Sequence, residues 1–326
     1  MNNGLTALLT AFTIAAAPLA PPVAPPPPPA SIAAGVRVAN APALFVHGYL
    51  LNLCPQGDAS KTFASASTVL KNNGHTGKSD FIDYYACDSG GSNIQTHGNP
   101  SAYFPSGANS GLLGGMAGGN TNDTDIRHIS YQLAWYIYDT YSSKGQTVEV
   151  VSHSMGGLIT NWMLYQVQVK NPVFPPYLYV QDSVTISTPF NGVNDGYNNI
   201  SWCPSGIQCQ QMLPNSTFLT ELRAQGLNAQ ATTAGTDHTA IGGSPCDSVD
   251  KPIGTTLAGG DIHKVWYYAN TPQAPTCYDH VSYLNDTSTA VNMPIQSRNP
   301  GDSIFTTGIG PHSLTAVAQA VMSSSK

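Results

Sequence analysis

Ser154 lies in Val150-Val151-Ser152-His153-Ser154-Met155-Gly156-Gly157, an apolar strand that runs into a turn of small residues and then into a helix. A turn of that kind holds a serine hydroxyl clear of the sheet, with small neighbours two residues to either side so that strand and helix pass closely. The first small position is Ser152 rather than glycine, which keeps the side chain short but gives up some tolerance of unusual backbone angles. A serine hydroxyl is a weak nucleophile at neutral pH; it needs a base within hydrogen-bond reach and an acid to orient that base. The chemistry expected is acyl transfer through a covalent intermediate on Ser154.

Four histidines follow the turn: His238, His263, His280 and His312. Sites on open parallel sheets form beyond the carboxyl ends of the strands. His238 and His263 sit at the starts of predicted strands, the opposite end, whereas His280 lies in the loop after the last predicted strand and is the expected base. His312 opens the terminal helix and is expected at the surface of its first turn. Asp247 and Asp250 follow the penultimate predicted strand; Asp247 is nearer the strand end and is the expected acid. Asp182 falls within a strand, Asp195 follows an earlier strand, and Asp261 precedes one. Acyl transfer also needs donors aimed at the developing oxyanion, each worth ~3 kcal/mol of barrier. The backbone N–H groups of Met155 and of Tyr49, which follows Phe45-Val46-His47-Gly48, are the candidates. His47 is expected to be a buried, hydrogen-bonded imidazole that fixes this loop, not a base or a ligand.

Several elements must position these groups. Ala43 to His47 is an apolar run that reads as a buried strand, followed by a helix from about Asp58 to Asn73 and a strand from about Phe81 to Ala86. The 37 residues from Asp88 to Thr124 hold nine glycines and no sustained period, longer than an ordinary connection. Asp125 then caps a helix with Ile126, Ile129, Leu133, Ile137 and Tyr141 on one face. Thr147–Val151 leads into the Ser154 turn, a helix runs from Met155 to about Lys170, and Tyr177–Ser187 is another core strand. A helix at about Ser216–Gln225, strands at Thr239–Gly242 and Lys264–Tyr268, and a helix from Ser313 complete a doubly wound α/β pattern. The Trp202–Met212 segment reads equally as a lid or as a stapled surface loop.

Charged residues make up 9% of the chain, 12 basic against 18 acidic, with a net charge of −6 and no Lys/Arg run. Nucleic acid and anionic membrane are therefore poor partners. Leu5–Ala17 is an apolar run ended by Pro18 and is expected to be the core of a signal peptide over residues 1–20. No Lys or Arg precedes Arg37, so the positive start of such a leader is expected upstream of Met1. Residues 21–36, with Pro25 through Pro29, form an extended spacer, and the folded domain covers 37–326. The cysteines at 54, 87, 203, 209, 246 and 277 contain no C-x-x-C pair and are expected as three disulfides of a secreted protein, with the pairing open among fifteen arrangements. A bond from Cys203 to Cys209 would close a short loop, and one from Cys246 to Cys277 would draw the acid loop towards the histidine loop.

The ordered set of Val46-His47-Gly48, the Ser152-to-Gly157 turn, Ser187-Thr188-Pro189-Phe190-Asn191-Gly192, Leu213-Pro214-Asn215-Ser216-Thr217-Phe218-Leu219, the Ile241-to-Asp247 loop and His280 with Tyr283-Leu284 resembles the secreted bacterial lipases and esterases of the α/β-hydrolase superfamily. The resemblance runs from about Ala43 to the C-terminus. It implies a mostly parallel central sheet with helices on both faces, Ser154 as nucleophile, Asp247 as acid, His280 as base, and Tyr49 and Met155 as oxyanion donors. It further implies an ester or acylglycerol substrate, no metal or cofactor, transient contact with a lipid–water interface, and a monomer. A polyester-degrading cutinase or depolymerase would use the same residues on a more open cleft, and an inactive hydrolase-fold binding protein is the alternative outside enzymes.

Overall fold

The computed structural model describes residues 40–50, 58–97, 124–193, 206–225, 235–249, 262–268 and 277–322. The leader and spacer expected over 1–36, most of the glycine-rich connection, Cys54, Trp202, Cys203, Asp195, Asp250 and Asp261 lie outside the described residues.

Within them a nine-stranded sheet is built from β1 (Ala43–Val46), β2 (Ser79–Asp83), β3 (Ser92–Asn93), β4 (Val148–His153), β5 (Val180–Ile186), β6 (Asp237–Gly242), β7 (His263–Trp266), β8 (Val291–Arg298) and β9 (Thr306–Pro311). Its order is β3-β2-β1-β4-β5-β6-β7-β8-β9. Every pair from β3 to β7 is parallel, and β8 and β9 join antiparallel at one edge. From β1 the chain builds outward in one direction and then returns to lay β4 against the other side of β1. That reversal opens a crevice beyond the carboxyl ends of β1 and β4, where Gly48 and Ser154 lie.

Helices α1 (Ala59–Thr62), α2 (Ala64–Asn72), α3 (Ile126–Thr140), α4 (Met155–Gln168), α5 (Ile207–Gln211), α6 (Thr217–Ala224) and α7 (Ser313–Met322) flank the sheet. Two cores result because successive strand residues face opposite ways. Leu44, Val46, Val148 and Val150 pack with Ile129 and Leu133 of α3, Leu158 and Trp162 of α4 and Phe218 of α6. Ala43, Phe45, Val151, Val184 and Ile241 pack with Leu70 of α2 and Leu314 and Val317 of α7. All six residues of β4 are buried, as a strand covered on both faces requires. Asp125 caps α3, its carboxylate accepting the Arg127 N–H at 2.7 Å. None of the helices among the described residues is long and apolar enough to cross a membrane.

Four expectations change. The helix expected over 58–73 is interrupted at Phe63, and the strand expected over 81–86 ends at Asp83. Strands β8 and β9 follow His280, so the β7–β8 connection carries it, not a loop after the last strand. The hairpin escapes periodicity because it is half exposed, with Pro294, Gly308 and Gly310 interrupting its apolar residues. His312 is buried, not at the surface. Its Nδ1–H meets the Asp286 carboxylate at 2.5 Å and its Nε2 side meets Asn292 Oδ1 at 2.8 Å, joining the chain after His280 to β8 and α7.

Candidate active site

The turn between β4 and α4 holds Ser154 at φ 56°, ψ −130°, a left-handed conformation that a non-glycine residue adopts at a cost. The Ser154 N–H donates to Ile186 O at 2.9 Å, which ties the strained residue to the end of β5. Glycine is required on both sides of the crossing. A Cβ on Gly156 would stand 2.3 Å from Val46 O, one on Gly157 2.1 Å from Thr188 Oγ1, and one on Gly48 2.6 Å from Ser154 Cβ. Ser152, in the position where glycine is usual, is wholly buried, with Oγ 3.3 Å from Val184 O.

The folded chain brings together three of the residues singled out from the sequence. Ser154 Oγ–H is 2.9 Å from His280 Nε2, and His280 Nδ1 is 3.2 and 3.3 Å from the two oxygens of Asp247. Asp247 has no exposed surface. The Cys246–Cys277 disulfide lies one residue before Asp247 and three before His280, with the Cα atoms 5.7 Å apart, so it draws the two loops together. Cys87 and Cys209 are also disulfide-bonded, and no cysteine among the described residues is free. The Tyr283 hydroxyl accepts the Ser244 N–H at 2.9 Å, a second tie between the same loops.

Two side chains in the site escaped the reading of the sequence. His153 is buried, and burial, with His280 close by, pushes its imidazole down to about 3. The neutral ring donates its Nε2–H to His280 O at 2.7 Å and so holds the backbone of the candidate base. Ser187, at the end of β5, places Oγ 2.9 Å from His280 Nδ1 and donates to Asp247 Oδ2. The motif contained both residues, but nothing in their spacing distinguished them from packing.

The candidate oxyanion loop is held from beneath by Tyr84, whose hydroxyl lies 2.8 Å from both His47 O and Gly48 O. Burial pushes the Tyr84 phenol well above its usual range, so it remains a donor. His47 stacks on Tyr84 with centroids 4.1 Å apart, and its ring nitrogens meet Gly48 O at 2.8 Å and Asp88 Oδ2 at 3.0 Å. His47 is thus the buried, bonded imidazole expected. Because the peptide is planar and trans, the Gly48 carbonyl turned towards Tyr84 leaves the Tyr49 N–H pointing the other way. Met155 is the first residue of α4, where an N–H has no acceptor within the helix. In the Trp202–Met212 segment, α5 packs inward: Gln208 accepts from the Tyr85 hydroxyl at 2.6 Å, and Cys209 and Met212 join the core.

Residues 108–240, under half of the chain, match the profile of a family described as "Putative serine esterase (DUF676)". The matched stretch carries the Ser154 turn, β4, β5 and the first part of β6, and stops short of Asp247 and His280. The strand reversal at β1 and β4 and the left-handed serine between β4 and α4 decide the fold. The chain has the α/β-hydrolase fold. The chain is similar in outline to Aspergillus fumigatus lipase B, with 20% identity and TM-score 0.45 over 72% of this chain and 44% of that one. It is also similar to phospholipase PlaB from Legionella pneumophila, with 14% identity and TM-score 0.41 over 64% of this chain and 38% of that one. Bacillus licheniformis lipase BlEst2 gives 18% identity and TM-score 0.39 over 70% of each chain. The aligned part spans less than half the length of the first two. No curated protein matches the chain significantly. The esterase family supports an ester hydrolase, the class of reaction that the side chains around Ser154 suit.

Proposed function

We propose that this α/β-hydrolase cleaves carboxylic esters through an acyl-enzyme on Ser154, with acylglycerols among its substrates. The observation that carries the proposal is the line from Ser154 Oγ through His280 to Asp247, with 2.9 Å between the serine oxygen and His280 Nε2. In the first step Ser154 Oγ attacks the ester carbonyl carbon while its proton passes to His280 Nε2. Asp247, buried beside Nδ1, stabilises the imidazolium that forms. The N–H groups of Met155 and Tyr49 take the charge that develops on the carbonyl oxygen. As the tetrahedral intermediate collapses, the bond to the alkoxy group breaks and the proton on His280 leaves with the alcohol. Water then repeats the sequence on the acyl-enzyme, giving up one proton to His280, and releases the acid with Ser154 restored.

The Cys246–Cys277 bond and the bonded state of Cys87 and Cys209 support a protein that works in an oxidising, extracellular setting. We further propose that the chain acts as a monomer, with passing contact with a lipid–water interface. A phosphonate ester, which mimics the tetrahedral state, is expected to label the protein once, at Ser154, with the adduct located by mass spectrometry of a digest. His280→Ala should suppress labelling severely. A folded His280→Ala protein that labels as fast as the parent would remove His280 as the base. Rates on p-nitrophenyl esters of short and long acyl chains, beside an emulsified triglyceride, separate esterase from lipase.

A further inference from the structure

Ser187 stands where glycine would be the relaxed residue. Its backbone lies at φ 50°, in the left-handed region, and its N–H donates to Ile241 O at 2.7 Å, so pairing with the end of β6 locks the residue there. The side chain has no exposed surface, so its hydroxyl must find partners within the protein. It finds two, and both belong to the proposed site. A hydroxyl has one proton to give and lone pairs to receive. An ionised carboxylate only accepts, so the Ser187 proton goes to Asp247 Oδ2 and a lone pair is left facing His280. His280 Nδ1 is 2.9 Å from Ser187 Oγ, nearer than either oxygen of Asp247, at 3.2 and 3.3 Å.

We infer that Ser187 is a positioning residue that stands between Asp247 and His280, receiving the Nδ1–H of the imidazole and passing a hydrogen bond on to the acid. The inference rests on His280 being the base of the proposed hydrolase. The hydroxyl fixes the ring so that Nε2 faces Ser154, and it leaves Asp247 ionised with its charge directed at the ring. No covalent bond is made or broken at Ser187, and it touches no substrate.

Ser187→Gly separates the two things this residue does, because glycine takes the left-handed backbone without strain and removes the hydroxymethyl side chain, whereas Ser187→Ala removes the hydroxyl alone. The variant should melt no lower than the parent. Its kcat on a p-nitrophenyl ester should nevertheless fall about tenfold or more with KM little changed, the mark of an interaction that serves the reaction and not binding. Ser187→Ala should lose kcat similarly. Nuclear magnetic resonance supplies a readout independent of turnover. The downfield Nδ1–H resonance of His280, assigned by its loss in His280→Ala, should move upfield in Ser187→Gly. An unmoved resonance overturns the inference whatever the kinetics, and so does parental kcat in a folded Ser187→Gly protein. A parent that fails to take phosphonate at Ser154 would instead overturn the hydrolase reading, and the resonance would still report whether Ser187 bridges Asp247 and His280.

Discussion

Tyr84 does its work through one hydroxyl. Its proton holds the carbonyls of His47 and Gly48 on one side of the loop, both at 2.8 Å, and so keeps the Tyr49 N–H on the other. Tyr84→Phe keeps the ring that stacks on His47 and removes the hydroxyl that holds both carbonyls. If the Tyr49 N–H serves the oxyanion as proposed, kcat on a soluble ester should drop by roughly 10- to 100-fold while KM moves little. Steady-state kinetics of a variant with a parental melting temperature checks this, and an unchanged kcat would mean that His47 alone fixes the loop. Ser154, Asp247 and His280 were legible because each has a side-chain type that chemistry needs and a place at a predicted strand end. Tyr84, His153 and Ser187 were not. Tyrosine, histidine and serine beside a strand are common, and their roles arise from partners 37, 127 and 60 positions away in the chain.

Among the elements, the crossing of β1 over the start of α4 tolerates least. A methyl at Gly156 would meet two backbone oxygens, Val46 O at 2.3 Å and His47 O at 2.5 Å, and neither can swing aside as a side chain can. Gly156→Ala should therefore cost about 1–3 kcal/mol and lower the melting temperature by several degrees. Gly308 of β9 has nothing within 4 Å of the same added atom, so Gly308→Ala should stay within ~0.5 kcal/mol of the parent. Scanning calorimetry of the pair tests the contrast, and equal losses would contradict it. The inner strands and their helices could be read from the sequence because burial on both faces leaves continuous apolar runs such as Val148–Val151. The β8–β9 hairpin could not, since only Met293 and Ile295 of β8 reach the core as hydrophobic side chains and the remaining positions are polar, exposed or proline. His280 was selected as the histidine after the last strand. The sheet in fact continues past it, but the β7–β8 connection that carries His280 opens at the same end of the sheet as the Ser154 turn, and so the ring still comes within 2.9 Å of Ser154 Oγ.

At the scale of the whole molecule, buried histidines make stability depend on acidity. Burial pushes His153 down to about 3 and His128 to about 4, whereas in the unfolded chain each takes a proton near pH 6.5. The folded protein keeps both neutral, so the unfolded chain binds more protons below that point and stability falls as pH drops from about 6.5 towards 4. The slope for two such groups is at most about 2–3 kcal/mol per pH unit. Asp286 adds to the loss at still lower pH: burial works against its charge, but hydrogen bonds from Tyr278 and His312 hold its carboxyl below the usual range. Melting curves from pH 7 to pH 4.5 should show a steady decline that is shallower in His128→Gln, and a variant as steep as the parent would exclude His128 as a source. The separation of 126 residues between Ser154 and His280 also has a meaning in time. At a synthesis rate of about 5–20 residues per second, the serine leaves the ribosome roughly 6–25 s before the histidine that would activate it. On the proposed mechanism, a growing or prematurely ended chain would carry the nucleophile with no base and would stay chemically silent until His280 had been made.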